Sequence, residues 1–307
     1  MISILIPVYN YDPAMLIKEL GRQIKEGNHT VEIILMDDGS SEVFKKISRS
    51  LTQLPFVTYK EFEHNIGRIA IRQALSRQAN FDHLLFLDCD GIIDRKDFLS
   101  KYISYLNKAD VISGGRKYPP SPPGNCQQHL HWKYGSRREF FDHRIRNKQP
   151  YLRFMTNNFL VAKKIFDSIQ FPTEEFAGYG HEDTFLGAAL AKKNAVVLHI
   201  DNPVIHGKIE EAESFIEKSK AAVRTLSMLS LQMSEKDLGD YVKLFRVKKR
   251  LEHLKLTDSV AYLAKIFENA IARNLRSCKP SLFLFDLFRL NYYLEFEKSK
   301  AIYPNGK

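Results

Sequence analysis

The first 115 residues alternate short apolar runs with stretches in which apolar residues repeat at helical spacing. The repeat is clearest at Leu16, Leu20 and Ile24, which follow Asp12 and Pro13, a typical N-cap with proline in the first turn. Near-continuous apolar strands separated by helices predict a mostly parallel sheet that is covered on both faces. In such sheets, ligands bind beyond the carboxyl ends of the strands. The predicted strands are residues 2–8, 31–36, 56–62, 83–87 and 111–113.

The pattern changes twice in the rest of the chain. Between about residues 117 and 150 the alternation is interrupted by the turn-rich stretch PPSPPGN and by a mixed aromatic and basic stretch. Strands and helices then resume, and from about residue 210 the sequence is helical and amphipathic. We therefore predict an α/β domain over residues 1–208, made of halves 1–115 and 116–208, followed by a helical region over 209–307.

Composition narrows the class of protein. The apolar share of 44% and the charged share of 27% are those of a globular protein. The net charge of +10 can attract nucleic acid, anionic lipid or phosphorylated ligands. The sequence contains no recognisable zinc finger or RNP-like motif, so nucleic acid is not an expected partner.

Cysteines and apolar runs give expectations about location. The chain has three cysteines, an odd number, and they lack the spacing of metal-binding motifs. This predicts no disulfide framework and a reducing compartment. The cysteines are Cys89, Cys126 and Cys278. The segment MISILIPVYN lacks a basic leader and reaches Pro7 too early for a signal peptide. No apolar run approaches the ~20 residues that span a bilayer. We expect a cytoplasmic protein, either free or peripheral at the inner face of the membrane.

Pairs of carboxylates follow two of the predicted strands. Asp37 and Asp38 follow the second strand, and Asp88 and Asp90 follow the fourth. Because strand side chains alternate with period two, Asp88 and Asp90 should share one side of the chain. Two oxygen ligands there suit Mg²⁺ or Mn²⁺ holding a diphosphate. A solvated turn is the alternative, and the position after an apolar strand favours the metal.

Three further features each have a functional and a structural interpretation. Glu182 and Asp183 open a predicted helix, whose dipole stabilises their ionised form, so they either cap the helix or supply a general base. Tyr9, at the end of the first strand, either stacks on a nucleobase or packs as an ordinary aromatic. His206 follows a short apolar strand and either donates an imidazole to a metal or is structural.

Taken in order, eight segments of residues 1–208 resemble the family 2 glycosyltransferases. Each segment alone is weak evidence, but eight in sequence at plausible spacing are strong evidence. The resemblance implies the GT-A fold, a Rossmann-like, mostly parallel sheet with helices on both faces, here with a helical C-terminal extension. The segments are SILIPVYN, MDDGS, HNIGRIAIRQA, FLDCDG, GGRKY, TNNFLVAKKIF, FAGYGHEDTFLG and VIHG.

The resemblance also implies roles for the matching residues. A divalent metal, Mn²⁺ or Mg²⁺, would be ligated by Asp90 above all, with Asp88 and His206. Asp183 would act as catalytic base with Glu182 beside it. The donor or acceptor sugar would be contacted by Gly115, Arg116, Asn157, Gly180 and His181. The nucleotide would be bound by Pro7, Tyr9, Asp37, Asp38, Asn65, Gly67, Arg68, Arg72 and Asp88.

This chain departs from the family pattern at two places. HNIGRIAIRQA lacks a clear second asparagine, which leaves the donor contacts of that segment open. His181 stands where the family often has tryptophan, so contacts with the acceptor are expected to differ while the base is retained.

The implied activity is transfer of a hexosyl or N-acetylhexosaminyl group in one inverting displacement. The donor would be a nucleotide sugar, with UDP favoured because it is common in the family. The acceptor would be the hydroxyl of a glycan or lipid-linked sugar in bacterial surface polysaccharide synthesis. One alternative is a non-catalytic carbohydrate-binding or scaffold protein on the same fold. Another is a sugar nucleotidyltransferase, although PVYNYDP replaces the glycine-rich loop which those enzymes carry.

The last hundred residues are the least informative. The stretch KPSLFLFDLFRLNYYLEFEK, residues 279–298, is apolar enough for a membrane surface or a partner, including a second copy in a homodimer. An ordinary core helix is the alternative, and it is the favoured one.

Overall fold

The structure is a computed structural model that describes residues 1–171 and 178–302. Its strands are β1 Ile2–Val8, β2 Val31–Asp37, β3 Val57–Glu61, β4 His83–Leu87, β5 Gly91–Ile92, β6 Val111–Ser113, β7 Arg116–Lys117, β8 Asn158–Ala162, β9 Val197–His199 and β10 Val204–His206. Its α-helices are α1 Ala14–Gly27, α2 Glu42–Ser50, α3 Arg68–Gln78, α4 Phe98–Ser104, α5 His129–Tyr134, α6 His143–Asn147, α7 Lys163–Asp167, α8 Glu182–Lys192, α9 Ala212–Leu229, α10 Glu235–Tyr241, α11 Lys243–His253, α12 Thr257–Ile266, α13 Glu268–Leu275 and α14 Leu282–Ile302.

Seven of these strands form one sheet in the order β3-β2-β1-β4-β8-β6-β9. All neighbours are parallel except β8, which runs antiparallel to both β4 and β6. A smaller sheet in the described part has the order β5-β10-β7. The mostly parallel α/β sheet with a helical C-terminal region is therefore confirmed.

Both faces of the large sheet are buried. On β1, Ile4 and Ile6 belong to the apolar cluster that includes Leu20 of α1. Leu5 points to the opposite face and belongs to a second cluster with Leu75 of α3. Burial on both faces explains why the strand is continuously apolar instead of alternating. Each fully buried Leu or Ile contributes about 1.5–3 kcal/mol to folding.

The chain divides into two compact units. Among the described residues, the sheet unit comprises 1–118, 139–171 and 185–208, and it contains both sheets. The helical unit comprises 119–138, 178–184 and 209–302. The helical unit has its own apolar core, in which Leu130, Phe215, Ile216, Leu275 and Phe285 are buried.

A disulfide joins Cys126 to Cys278 within the helical unit, with the two Cα atoms 4.5 Å apart. The prediction that the cysteines form no disulfide was therefore wrong. Pairing requires Cα atoms within about 4.4–6.8 Å, a condition set by tertiary packing. The partners here are 152 residues apart, so local spacing could not reveal them. Cys89 is a free thiol, and the cysteines no longer support a reducing compartment.

Helix α14 contains most of the apolar segment 279–298. Phe285, Leu290, Tyr293 and Leu294 of this helix are all buried. The core-helix interpretation is therefore correct for most of the segment. Phe283 is the exception, since it is 73% exposed. Among the described residues, no helix is both long enough and apolar enough to cross a membrane.

Candidate active site at the carboxyl edge of the sheet

Sheet topology brings the predicted carboxylate pairs to one edge. β1 lies between β2 and β4 and is parallel to both, so the carboxyl ends of these three strands are neighbours. Asp37 ends β2 in register with Val8, the last residue of β1. Asp88 and Asp90 follow β4 directly. The four carboxylates therefore follow neighbouring strand ends at one edge of the sheet.

Asp37 and Asp38 are both buried, and each organises a loop. Oδ1 of Asp37 accepts a hydrogen bond from the Ser40 amide at 2.7 Å, which closes the turn before α2. Oδ1 of Asp38 accepts from the Ile66 amide at 2.7 Å and so ties β2 to the loop before α3. Burial raises the pKa of Asp38, although the amides of Ile66 and Gly67 oppose the shift.

One carboxylate oxygen of Asp37 accepts no hydrogen bond from the described residues. Oδ2 of Asp37 is buried and has no hydrogen-bond partner there. A buried acceptor without a partner is costly, so it marks a place where a ligand N–H or O–H would be favourable. Tyr9, at the end of β1 on the same edge, is 51% exposed, which leaves its ring accessible to a ligand.

Asp88 is held by two arginines. Nη2 of Arg72, on α3, lies 2.8 Å from Oδ1, and Nη2 of Arg116, the first residue of β7, lies 3.7 Å from Oδ2. Arg72 is only 6% exposed. Both oxygens of Asp88 therefore face guanidinium groups, which hold the carboxylate in place. Arg72, predicted to contact the nucleotide, here directly positions the first aspartate of the DCD motif.

Asp90 and His206 are in direct contact at the same edge of the sheet. Nδ1 of His206 lies 3.1 Å from Oδ2 of Asp90, and both side chains are largely buried. The small sheet fixes this arrangement, since β10 pairs with β5 so that His206 is opposite Gly91. Burial, followed by the charge of Asp88, raises the pKa of Asp90 to about 6.

The loop before α3 supplies further predicted residues to this edge. Arg68 is the first residue of α3, and its charge lowers the pKa of Asp90 against the effect of burial. Gly67 precedes it with φ of 91°, a conformation that favours glycine. The Cβ of any residue replacing Gly39 would lie 2.7 Å from the amide nitrogen of Asn65, so the two loops are in close contact.

The asparagines of the TNN segment hold the loops that carry Asp88 and Arg116. The carbonyl of Asn157 accepts a hydrogen bond from the Asp88 amide at 2.9 Å. The side chain of Asn158 donates to the carbonyl of Gly115 at 2.9 Å. Oδ1 of Asn157 is buried and has no hydrogen-bond partner among the described residues, so it is a second acceptor available to a ligand.

Comparison with known proteins decides the family. The model of the family described as Glycosyl transferase family 2 matches residues 3–180, which is more than half of the chain. The chain belongs to glycosyl transferase family 2. It is 23% identical over 264 residues to chondroitin synthase from Escherichia coli, in an alignment that spans 75% of this chain and 38% of that protein.

Solved glycosyltransferase structures have the same fold. The mannosyltransferase PcManGT from Pyrobaculum calidifontis, in complex with GDP-Man and Mn²⁺, gives a TM-score of 0.58 at 13% identity and covers 99% of this chain and 88% of that one. TarS 1–349 from S. aureus, in complex with UDP-GlcNAc, gives a TM-score of 0.50 at 15% identity, with 98% and 91% coverage. At such identities these structures show the fold, which is GT-A, as predicted.

The predicted catalytic carboxylates of this family 2 glycosyltransferase lie in the helical unit. Glu182 and Asp183 occupy the first turn of α8, where the helix dipole stabilises negative charge. Glu182 is 8% exposed, and its Oε1 accepts a weak hydrogen bond of 3.4 Å from the Gly180 amide. Asp183 is less buried than Glu182. Of the two, Asp183 is therefore the more accessible to an acceptor.

The two residues before α8 have left-handed backbone conformations. φ is 95° at Gly180 and 67° at His181. Nδ1 of His181 lies 3.3 Å from the Thr184 hydroxyl. Burial of the ring lowers the pKa of His181 to about 3, so the imidazole is neutral at physiological pH. The first two residues of the FAGYGHEDTFLG segment, Phe176 and Ala177, lie outside the described residues.

Glu139 is a site residue that sequence analysis missed. Its Oε2 accepts hydrogen bonds from Nη1 of Arg116 at 3.1 Å and from the hydroxyl of Tyr118. Arg116 thus bridges Glu139 and Asp88, which are 51 residues apart in sequence. No motif marks Glu139, which ends the turn of π-helix at Gly135–Glu139.

We expect Glu139→Gln to lower the rate of sugar transfer about 10- to 100-fold, because a charge-assisted hydrogen bond contributes about 1.5–3 kcal/mol. The glutamine can still accept from Tyr118 but no longer neutralises Arg116, so the guanidinium should shift toward Asp88. Steady-state kinetics of the purified variant measure this. Glu42→Gln, which removes a surface partner of Arg49, serves as the control. Equal rates in both variants would show that Glu139 has no role in the site.

Proposed function

We propose that this family 2 glycosyltransferase transfers a hexosyl or N-acetylhexosaminyl group from a nucleotide sugar, with UDP as the favoured nucleotide, to an acceptor hydroxyl. The observation that carries the proposal is the cluster of Asp88, Asp90 and His206 with Arg72 and Arg116 at the carboxyl edge of the sheet. The nucleotide sugars in the complexes of PcManGT and TarS are consistent with a donor of this class.

A divalent metal fits the residues of this cluster. Carboxylate and imidazole ligands suit Mn²⁺, and the raised pKa of Asp90 indicates a carboxylate whose charge is poorly compensated. Asp90 and His206 would hold the ion, with Asp88 beside them, and the ion would neutralise charge on the leaving diphosphate. Among the described residues no three His, Cys, Asp or Glu side chains form a ready-made ion site, so diphosphate oxygens would complete the coordination.

The nucleoside would occupy the ends of β1 and β2. The unpartnered oxygen of Asp37 is suited to accept a hydrogen bond from the base or ribose, and the exposed ring of Tyr9 to stack on the base. Pro7 and Asp38 would shape this pocket. Arg68, with Asn65 and Gly67 before it, would face the phosphates, because cations and a helix N-terminus both attract anions.

The sugar would lie beside the loop of Gly115 and Arg116, where the free acceptor oxygen of Asn157 can bind a hydroxyl. Gly180 and His181 would contact the acceptor. The Asp183 carboxylate would remove the proton of the acceptor hydroxyl, and the resulting oxygen would attack the anomeric carbon. The bond from that carbon to the diphosphate oxygen breaks, the nucleoside diphosphate leaves, and the anomeric configuration inverts. Arg72 and Arg116 would hold the Asp88 side chain in position.

The acceptor is proposed to be a growing glycan or a lipid-linked sugar of a bacterial surface polysaccharide. The similarity to a chondroitin synthase, a polymer-forming enzyme by its name, supports this class of acceptor. The alignment covers 38% of that relative, so the similarity concerns only part of the synthase.

Calorimetry with UDP, GDP and CMP, each with and without Mn²⁺, tests the donor site. We expect one nucleotide, UDP, to bind and its affinity to depend on the metal. Selective binding of GDP would keep the transferase proposal and change the donor. If no nucleotide binds in either condition, the non-catalytic scaffold becomes the better interpretation.

A further inference from the structure

Helix α12 has an unusual distribution of side chains. Its only buried residue is Ala264, whereas Tyr262 is 68% exposed, Leu263 54% and Ile266 56%. At about 100° per residue, these three side chains fall within an arc of about 100°, so they form one face of the helix. The larger apolar side chains of α12 therefore point to solvent and the small one points inward.

The exposed face continues beyond both ends of the helix. Phe267, directly after α12, is 55% exposed, and Leu256, directly before it, is 44% exposed. Leu256 and Leu263 are two turns apart and Phe267 is one turn further, so the three line up along one side. We call Leu256, Tyr262, Leu263, Ile266 and Phe267 the α12 patch. Contiguous exposed apolar patches on soluble proteins mark sites that bind other proteins or membranes.

The patch lies in the most basic part of the helical unit. Residues 242–267 contain seven Lys or Arg and two acidic residues, so these 26 residues carry half of the net charge of +10. Both acidic residues are in ion pairs, Glu252 with Lys248 and Lys249, and Asp258 with Lys298. The remaining cations of this stretch are exposed: they are Lys243, Arg246, Arg250, Lys255 and Lys265.

We propose that the α12 patch docks on the surface of a lipid bilayer that contains anionic lipids. Aromatic and aliphatic side chains on one helix face enter the boundary between head groups and acyl chains, while nearby cations bind the anionic head groups. Lys255 and Lys265 adjoin patch residues in sequence and are placed to do this.

Charge favours a bilayer over a second copy of the chain. In a twofold dimer the same patch meets itself, which would bring two stretches of net charge +5 together. Like charges repel in such an interface, whereas an anionic membrane surface attracts them. This inference does not depend on the proposed sugar transfer, because it uses neither the sheet unit nor Asp183.

Vesicle sedimentation of the full chain tests the proposal. We expect binding to vesicles made of equal amounts of phosphatidylcholine and phosphatidylglycerol, weaker binding to phosphatidylcholine alone, and release in about 1 M salt, where the Debye length falls to about 3 Å. The triple variant Tyr262→Ser, Ile266→Ser, Phe267→Ser should lower the partition coefficient by at least about 100-fold. Leu231→Ser, at a 78% exposed position outside the patch, is the matched control and should bind as wild type.

Two outcomes with the wild-type protein and the triple variant would overturn the proposal. One is a wild-type protein that stays in the supernatant with both kinds of vesicle. The other is a concentration-dependent dimer, seen by light scattering, that the triple variant converts to monomer, since this assigns the patch to self-association. If the triple variant fails to fold, Lys255→Gln with Lys265→Gln replaces it, and unchanged binding of that folded double variant to anionic vesicles would equally refute the proposal.

Discussion

Asp90→Asn is expected to reduce sugar transfer by about 100- to 1,000-fold, because the variant loses the charged member of the Asp90–His206 pair that would hold the metal. Metal-dependent nucleotide binding should weaken with it. Calorimetry with UDP and Mn²⁺, together with initial rates, measures both effects. Asp94→Asn is a matched control, since Asp94 is an exposed carboxylate four residues away that pairs with Lys117.

The same variant should not be less stable at neutral pH. The pKa of Asp90 is raised from 3.8 to about 6, so above pH 6 the folded protein contains a largely buried charge that opposes folding. This cost develops as the pH rises from about 4 to 6 and is absent below pH 4. Asparagine removes it, so thermal unfolding at pH 7 should occur at the same or a higher temperature than in wild type. A variant that unfolds earlier at pH 7 would contradict this account of the site.

Asp183→Asn is expected to reduce transfer by about 100- to 10,000-fold and to leave nucleotide binding unchanged. The amide has nearly the same shape as the carboxylate but cannot take a proton from the acceptor hydroxyl. Paired measurements of initial rate and of UDP affinity in the presence of Mn²⁺ separate the two effects.

A purely structural role for Asp183 makes a different prediction. Loss of a carboxylate in the first turn of a helix costs about 0.3–1 kcal/mol of stability and no catalytic step. Asp258→Asn, in the first turn of α12, provides that comparison. A small decrease in melting temperature with normal turnover in Asp183→Asn would assign Asp183 to helix capping.

The sheet could be predicted from sequence because its strands are buried on both faces and separated by helices. Residues 83–87 and 111–113 were predicted with the bounds that β4 and β6 have in the structure. The antiparallel placement of β8 between them could not be predicted, since apolar patterning carries no direction. Asp37, Asp38, Asp88 and Asp90 could be predicted to lie near one another because they follow strands of one parallel sheet, whose carboxyl ends share an edge.

Other parts of the site depend on contacts between distant residues. Arg72 was assigned to the nucleotide from its motif, and its contact with Asp88 follows from the packing of α3 against the sheet. Glu139 reaches Arg116 from a segment without any motif. Asp183 is placed in the first turn of a helix by a local pattern that a sequence displays directly, a glycine-rich turn before the helix, and its catalytic role stays a prediction.

The Cys126–Cys278 bond also determines what happens to a chain that is cut. The bond encloses residues 127–277, among them the segment of α8 with Asp183. A single proteolytic cut anywhere inside that span therefore leaves two fragments that migrate as one species until a reductant separates them. Limited proteolysis followed by electrophoresis with and without reductant would consequently tell whether a cut lies inside or outside the ring.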